Sequence, residues 1–144
     1  MDFSAREVLE TIKMIETENL DIRTITLGIS LRDCAGPSGA ETRRRMYDKI
    51  TRYARDLVKV AESIERDYGI PIINKRVSVT PIAIVAEASG ERDLTPFAQT
   101  MDEAAEAVGV DFIGGFSALV HKGITPGDQA LLDSIPSEIG RAHV

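Results

Sequence analysis

Tryptophan is absent from this 144-residue sequence, cysteine occurs once, histidine twice, and aromatic residues make up only 5%. Each scarcity removes a class of function. One cysteine forms no intramolecular disulfide and cannot supply an all-cysteine zinc site within the chain. Two histidines, His121 and His143, argue against a multi-histidine metal centre, so no metal site is expected. Long apolar runs are missing as well. The longest nearly uncharged one, Pro81 to Ala86, is far short of the roughly 20 residues that cross a bilayer. Positive charge is in the minority: 17 Lys plus Arg stand against 23 Asp plus Glu, a net charge of −6. That balance, without basic–aromatic interleaving, disfavours nucleic acid as a partner, because phosphate neutralisation needs clustered Lys and Arg. Gly-x-Gly-x-x-Gly, a phosphate loop ending in Lys-Ser or Lys-Thr, and His-Glu-x-x-His are all absent. The first twenty residues carry Glu7, Glu10, Glu16 and Glu18 among apolar residues, unlike a signal peptide. The expectation is a cytoplasmic protein without membrane association.

What is present is a chain that is 43% hydrophobic, with alternating helix and strand signals. Ser4 and Glu7 have capping-box spacing, and Val8, Ile12 and Ile15 follow at helical intervals, which predicts a helix ending near Asn19. In the segment from Asp21 to Ser30, Ile25, Leu27 and Ile29 alternate with Thr24, Thr26 and Gly28, as in a strand. Gly36, Pro37 and Gly39 mark a loop. One long helix is predicted from Ala40 to Tyr68, with Met46, Ile50, Ala54, Leu57, Ala61 and Ile64 on one face and Gly69 ending it. Arg43 to Arg45, offset by Glu41 and Asp48, read as a solvated face. Ile70 to Val79 is a second strand, after which Thr80-Pro81 has the pattern of an N-cap and first helical residue. Thr95-Pro96 repeats that pattern before a helix closed by Gly109. Val110 to Ile113 is a third short strand, with helices expected from Phe116 or Ser117 and again after Pro126-Gly127-Asp128. Such alternation implies mainly parallel strands joined by helical crossovers, hence an α/β layer or part of a barrel.

Chemistry is expected where parallel strands end. Asp33-Cys34 follows the first strand. Its thiol is either a reactive group, with Arg32 favouring a thiolate and Asp33 opposing it, or a small buried hydrophobe. In the second strand, alternation puts Lys75, Val77 and Val79 on one side and Asn74, Arg76, Ser78 and Thr80 on the other. Lys75 or Arg76 could hold a carboxylate or phosphate near a helix N-terminus at Thr80-Pro81, or form a structural salt bridge to Asp21, Asp33 or Asp111. After the third strand, Gly114-Gly115 could form an anion-cradling nest or a plain turn. A Ser-His-Asp triad would need His121, which has no nucleophile elbow near it and reads as a lone exposed histidine.

The last residues differ from the rest. Ile139-Gly-Arg-Ala-His-Val144 back-translates to ATC GGA AGA GCA CAC GTC, the opening of a widely used sequencing adapter. Residues 137–144 are therefore expected to be a non-native tail and residues 1–136 the natural segment; the alternative is a natural polar tail.

Three blocks together carry a family resemblance: Asp21-Ile-Arg-Thr-Ile-Thr-Leu-Gly-Ile-Ser-Leu-Arg-Asp-Cys34, Asn74-Lys-Arg-Val-Ser-Val-Thr-Pro81 and Asp111-Phe-Ile-Gly-Gly-Phe-Ser-Ala-Leu-Val120. With Lys122-Gly123 and Asp133-Ser-Ile-Pro136, they make the chain similar to the N-terminal part of the prokaryotic proteins called PFL family protein, a domain-of-unknown-function family. The resemblance implies an incomplete pyruvate formate-lyase-like α/β barrel, of which this chain supplies about the first third, with strand edges left open to self-association. Pyruvate formate-lyase and anaerobic ribonucleotide reductase, which share that fold, carry a radical on cysteine. No glycyl-radical signature is present here, and the resemblance names no cofactor and no established catalytic residue. By fold analogy Cys34, as catalytic thiol, and Lys75, Arg76, Asp111, Gly114 and Gly115, as ligands of a small anionic metabolite, line the barrel mouth. Two readings follow: an α/β-barrel enzyme, or a non-catalytic ligand-binding or regulatory protein that keeps the barrel.

Overall fold

In the computed structural model, residues 4–18 and 21–138 are described. Helix α1 (Ala5–Glu16) starts as its sequence demands. The Ser4 hydroxyl accepts from the Glu7 N–H while the Glu7 carboxylate accepts from the Ser4 N–H. Strand β1 (Ile22–Ile29) follows, then a 3₁₀ turn (Arg32–Cys34), helices α2 (Gly39–Ala54) and α3 (Leu57–Tyr68), and strand β2 (Ile72–Val79). Helix α4 (Ile82–Ala86), a second 3₁₀ turn (Glu87–Ser89), helix α5 (Thr95–Val108), strand β3 (Phe112–Gly114) and helix α6 (Pro126–Glu138) complete the order. The strands form one parallel sheet in the order β1-β2-β3. The α/β class and the parallel pairing expected from the sequence are both present. No helix among the described residues is long and apolar enough to cross a membrane.

Several boundaries differ from the sequence reading, each for a physical reason. The single helix predicted from Ala40 to Tyr68 is two, broken at Arg55 and Asp56. A straight helix of that length would run about 44 Å, whereas eight-residue strands span about 26 Å. The break lets α2 pack on α5 while α3 returns along β2. Gly69 and Gly109 do end α3 and α5, in the left-handed conformation expected of them. Thr80 is not a cap: its Oγ1 accepts from the Leu31 N–H at 3.0 Å, tying the ends of β1 and β2 together, and Pro81 takes the cap position of α4. Thr95 is likewise inside α5, its N–H bonded to the Asp93 carboxylate at 3.0 Å. No helix forms at Phe116 or Ser117. The carbonyls of Gly115 and Ser117 instead accept from the Ile82 and Ala83 N–H groups, so that loop caps α4. Helix α6 starts at Pro126 behind a reciprocal Thr125–Asp128 box. The end of the natural segment expected at Pro136 falls within α6; residues 139–144 of the expected tail lie outside the described residues.

The core lies on one face of the sheet. Ile29, Val77 and Val79 join Met46 and Ile50 of α2, Ile82 and Val85 of α4, Phe97 and Met101 of α5 and Leu131 of α6, with Leu27 and Ile113 packed against them. Leu27, Val77 and Ile113 are in register across the three strands. Side chains alternate along a strand, so the registered triplets Thr26–Arg76–Phe112 and Gly28–Ser78–Gly114 share the opposite face. On that face Thr26, Gly28, Ser78 and Phe112 are exposed.

Candidate functional site

The strand ends separate the residues that the sequence reading grouped. Cys34 is 3% exposed and belongs to the core cluster. Its Sγ donates to Asp33 Oδ1 at 3.7 Å, and burial, then the Asp33 carboxylate, pushes the thiol pKa up. A thiol raised in this way stays protonated at neutral pH and is a poor nucleophile. Asp33 is itself engaged by Lys49, whose ammonium lies 2.6 Å away and holds that carboxyl below its ordinary range. The geometry is that of the bland alternative, a small buried hydrophobe.

Lys75 and Arg76 project to opposite faces of β2. Lys75 is an internal clamp: its ammonium sits 2.9 Å from Glu65 Oε1 of α3 and donates to the Ile72 carbonyl. Its partner is thus Glu65, not Asp21, Asp33 or Asp111 as the salt-bridge alternative supposed. Asp111 meets Lys75 only through the backbone, accepting from the Lys75 N–H at 2.7 Å and donating its own N–H to the Lys75 carbonyl at 2.8 Å. That reciprocal pair fixes the entry of β3 beside β2.

Arg76 is different. Its Nε donates to the neutral Thr26 hydroxyl at 2.7 Å, and the guanidinium carbon lies 5.6 Å from the centre of the Phe112 ring. Among the described residues no carboxylate forms an ion pair with it. In the basic run at the start of α2, by contrast, Arg44 and Arg45 pair with Glu41, and Arg44 also with Asp48, while Arg43 lies over the Phe97 ring.

Beside Arg76, at the carboxyl ends of β2 and β3, is a depression of ≈ 390 Å³ walled by Ser78, Pro81, Phe112, Gly114, Gly115 and Ser117. The structure therefore brings Arg76, Gly114 and Gly115 together, while Cys34, Lys75 and Asp111 do not wall that depression. Gly115 is needed sterically. Its φ is +139°, and a β-carbon there would stand 2.5 Å from Val79 Cγ2 and 2.9 Å from the Val79 carbonyl oxygen. Its carbonyl and that of Ser117 occupy the α4 N-terminus. Anion binding at that helix end, one of the sequence expectations, is thereby blocked.

Thr26, Phe112 and Ser117 were not picked out by sequence reasoning. The β1–β2–β3 register places Thr26 and Phe112 either side of Arg76, a pairing that no local spacing in the sequence signals. A second depression, of ≈ 450 Å³, lies between α4 and α6, where Glu87, Glu91 and Asp133 disfavour an anion. Among the described residues no three His, Cys, Asp or Glu side chains gather as a metal site. His121 is exposed and distant in role from these groups.

Residues 13–143 match the family model described as Uncharacterised ACR (DUF711). The chain is similar to UPF0210 proteins: 65% identical over 136 residues to one from Clostridium acetobutylicum, 68% over 137 to one from Halothermothrix orenii, and 64% over 137 to one from Desulforamulus reducens. These alignments cover 94%, 95% and 95% of the chain but 30% of each relative. The chain thus spans less than a third of the length of the curated relatives it matches.

Proposed function

The chain belongs to the DUF711 family of uncharacterised proteins, and from that premise we propose that it is the opening segment of a larger α/β barrel whose interior face binds a small anionic metabolite through Arg76. The observation that carries the reading is the uncompensated guanidinium on the open sheet face, between a hydroxyl and a ring. A cation at the centre of a sheet, with no carboxylate beside it, is completed by an anionic ligand. Support for the barrel comes from consecutive parallel strands with α2, α4, α5 and α6 packed on one face, which is how one arc of an α/β barrel is arranged. The relatives' greater length leaves room for the missing arc. In the isolated chain, the free edges of β1 and β3 favour self-association.

An enzyme resembling pyruvate formate-lyase is the chemical form of this reading. The second form, a non-catalytic ligand-binding or regulatory barrel, is favoured by one observation: Cys34 is packed in the core rather than beside Arg76. Replacing Cys34 by serine in the full-length protein separates them. Turnover lost with ligand binding retained supports the enzyme; unchanged behaviour supports the binding protein.

The anion site itself is tested by thermal shift of the full-length protein against small carboxylates and phosphate. A ligand at 100 times its dissociation constant stabilises by about 2.7 kcal/mol, enough to read clearly. Stabilisation by at least one anion, lost in Arg76→Met, is the expected result. No response to any of them, or a response that survives the substitution, overturns the proposal.

A further inference from the structure

We infer that the ligand of this face is a monocarboxylate with a flat apolar body, the carboxylate on Arg76 and the body against Phe112. The inference rests on the reading of the open face as an anion site and narrows its chemistry. The first argument is charge. Of the residues that wall the depression, Arg76 is the single cation and none is anionic. Lys75 is turned to the other face and neutralised by Glu65. The α4 N-terminus, which could have shared a second negative charge, is occupied by the Gly115 and Ser117 carbonyls. One guanidinium balances one carboxylate, whereas a phosphate dianion would retain an uncompensated charge against a partly desolvated wall.

The second argument is shape. Arg76 spends Nε on Thr26, which leaves its two terminal nitrogens as the paired donors that a carboxylate accepts bidentately. Next to it the apolar ring of Phe112 is 45% exposed. Pro81 continues that apolar rim. Along the strands from Arg76 come Gly28, Ser78 and Gly114, two residues on and about 6.6 Å away. No atom stands within 4 Å of a β-carbon built at Gly28 or Gly114. That space accepts a ring lying on the backbone, with the Ser78 hydroxyl beneath it.

Benzoate, acetate and inorganic phosphate, titrated calorimetrically into the full-length protein, separate these features. Benzoate is expected to bind more tightly than either of the others. Arg76→Met should weaken it by roughly tenfold or more, the loss of a charged hydrogen-bonded pair. Phe112→Ala should weaken benzoate more than acetate and bring the two affinities together. Gly114→Val fills the space without steric conflict among the described residues and suits a strand; it should weaken benzoate more than acetate, and it keeps the test open if Phe112→Ala does not fold. Phosphate bound more tightly than benzoate, in an Arg76-dependent way, overturns the monocarboxylate while the anion site stands. Benzoate binding that neither Phe112→Ala nor Gly114→Val alters overturns the placement of the ring. Failure of all three anions to bind through Arg76 overturns the anion site as well.

Discussion

The two faces of one small sheet follow opposite rules. On the covered face, Leu27, Val77 and Ile113 meet the helices, and each position is chosen for the volume it fills. On the open face, one residue away in every strand, Thr26–Arg76–Phe112 and Gly28–Ser78–Gly114 fill little and leave a cation uncompensated. Stability arises on the first face, and the chemistry worth testing is on the second. A substitution of one size should therefore have very different consequences on the two sides.

The largest contrast is between two phenylalanines. Phe97 is fully buried, with Arg43 stacked 5.4 Å above its ring. Phe97→Ala removes apolar contact and leaves a cavity, so urea denaturation should show a loss of about 3–5 kcal/mol. Phe112, nearly half exposed, should lose less than about 1 kcal/mol as alanine, since little transfer energy and no cavity are involved. Equal losses would dissolve the distinction between the faces.

Next comes the junction between the faces. Gly115→Ala forces a β-carbon onto Val79 with the backbone at a φ of +139°. The strained conformation alone costs about 1–3 kcal/mol, and the conflict with the Val79 carbonyl adds to it. Relief by a rotamer change is unavailable, because one of the atoms in the way is backbone. Destabilisation in the same denaturation assay checks it; unchanged stability would mean that the 115–117 loop is not held against α4.

The covered side also contains an ionic clamp with a pH signature. The Lys75 ammonium, and after it the Ile72 N–H, hold the Glu65 carboxyl below its ordinary value of 4.5. A carboxyl depressed in the folded state binds its proton less readily than in the unfolded chain. Its contribution is present above that ordinary value and is lost as pH falls through the lowered folded-state value. Urea midpoints followed from about pH 6 to about pH 3 should decline, and the decline should be shallower in Lys75→Met. Parallel acid limbs in the two proteins would show that the pair contributes nothing across α3 and β2.

Local features were readable from sequence, and features set by distant partners were not. The Ser4–Glu7 box and the glycines after α3 and α5 involve residues within one turn of each other, so their spacing was sufficient. Thr80 had the right local pattern for a cap, yet its hydroxyl is engaged 49 residues away by Leu31. Phe116 and Ser117 failed to start a helix because the backbone around them is committed to α4. At the candidate site, alternation already put Lys75 and Arg76 on opposite sides of β2. Which side the helices would cover is a tertiary fact, and it alone decides that Lys75 is a clamp and Arg76 is not. Cys34 was ambiguous for the same reason, since a thiol after a strand is reactive or inert according to what packs over it.

The smallest effect sharpens the comparison most. Gly28 lies inside β1, with no positive φ and nothing within 4 Å of a β-carbon built on it. A glycine in a strand interior costs roughly 0.5–1 kcal/mol relative to alanine, because its unfolded chain has more freedom to lose. Nothing in the packing of the covered face requires that cost. Gly28→Ala should therefore unfold at a slightly higher urea concentration than the parent, opposite in sign to Gly115→Ala although both substitutions add the same methyl group. Destabilisation instead would reveal a side chain packed over Gly28. A gain would leave the bare backbone at Gly28 without a role in stability, as expected where a ligand, rather than a side chain, comes to rest on the strand.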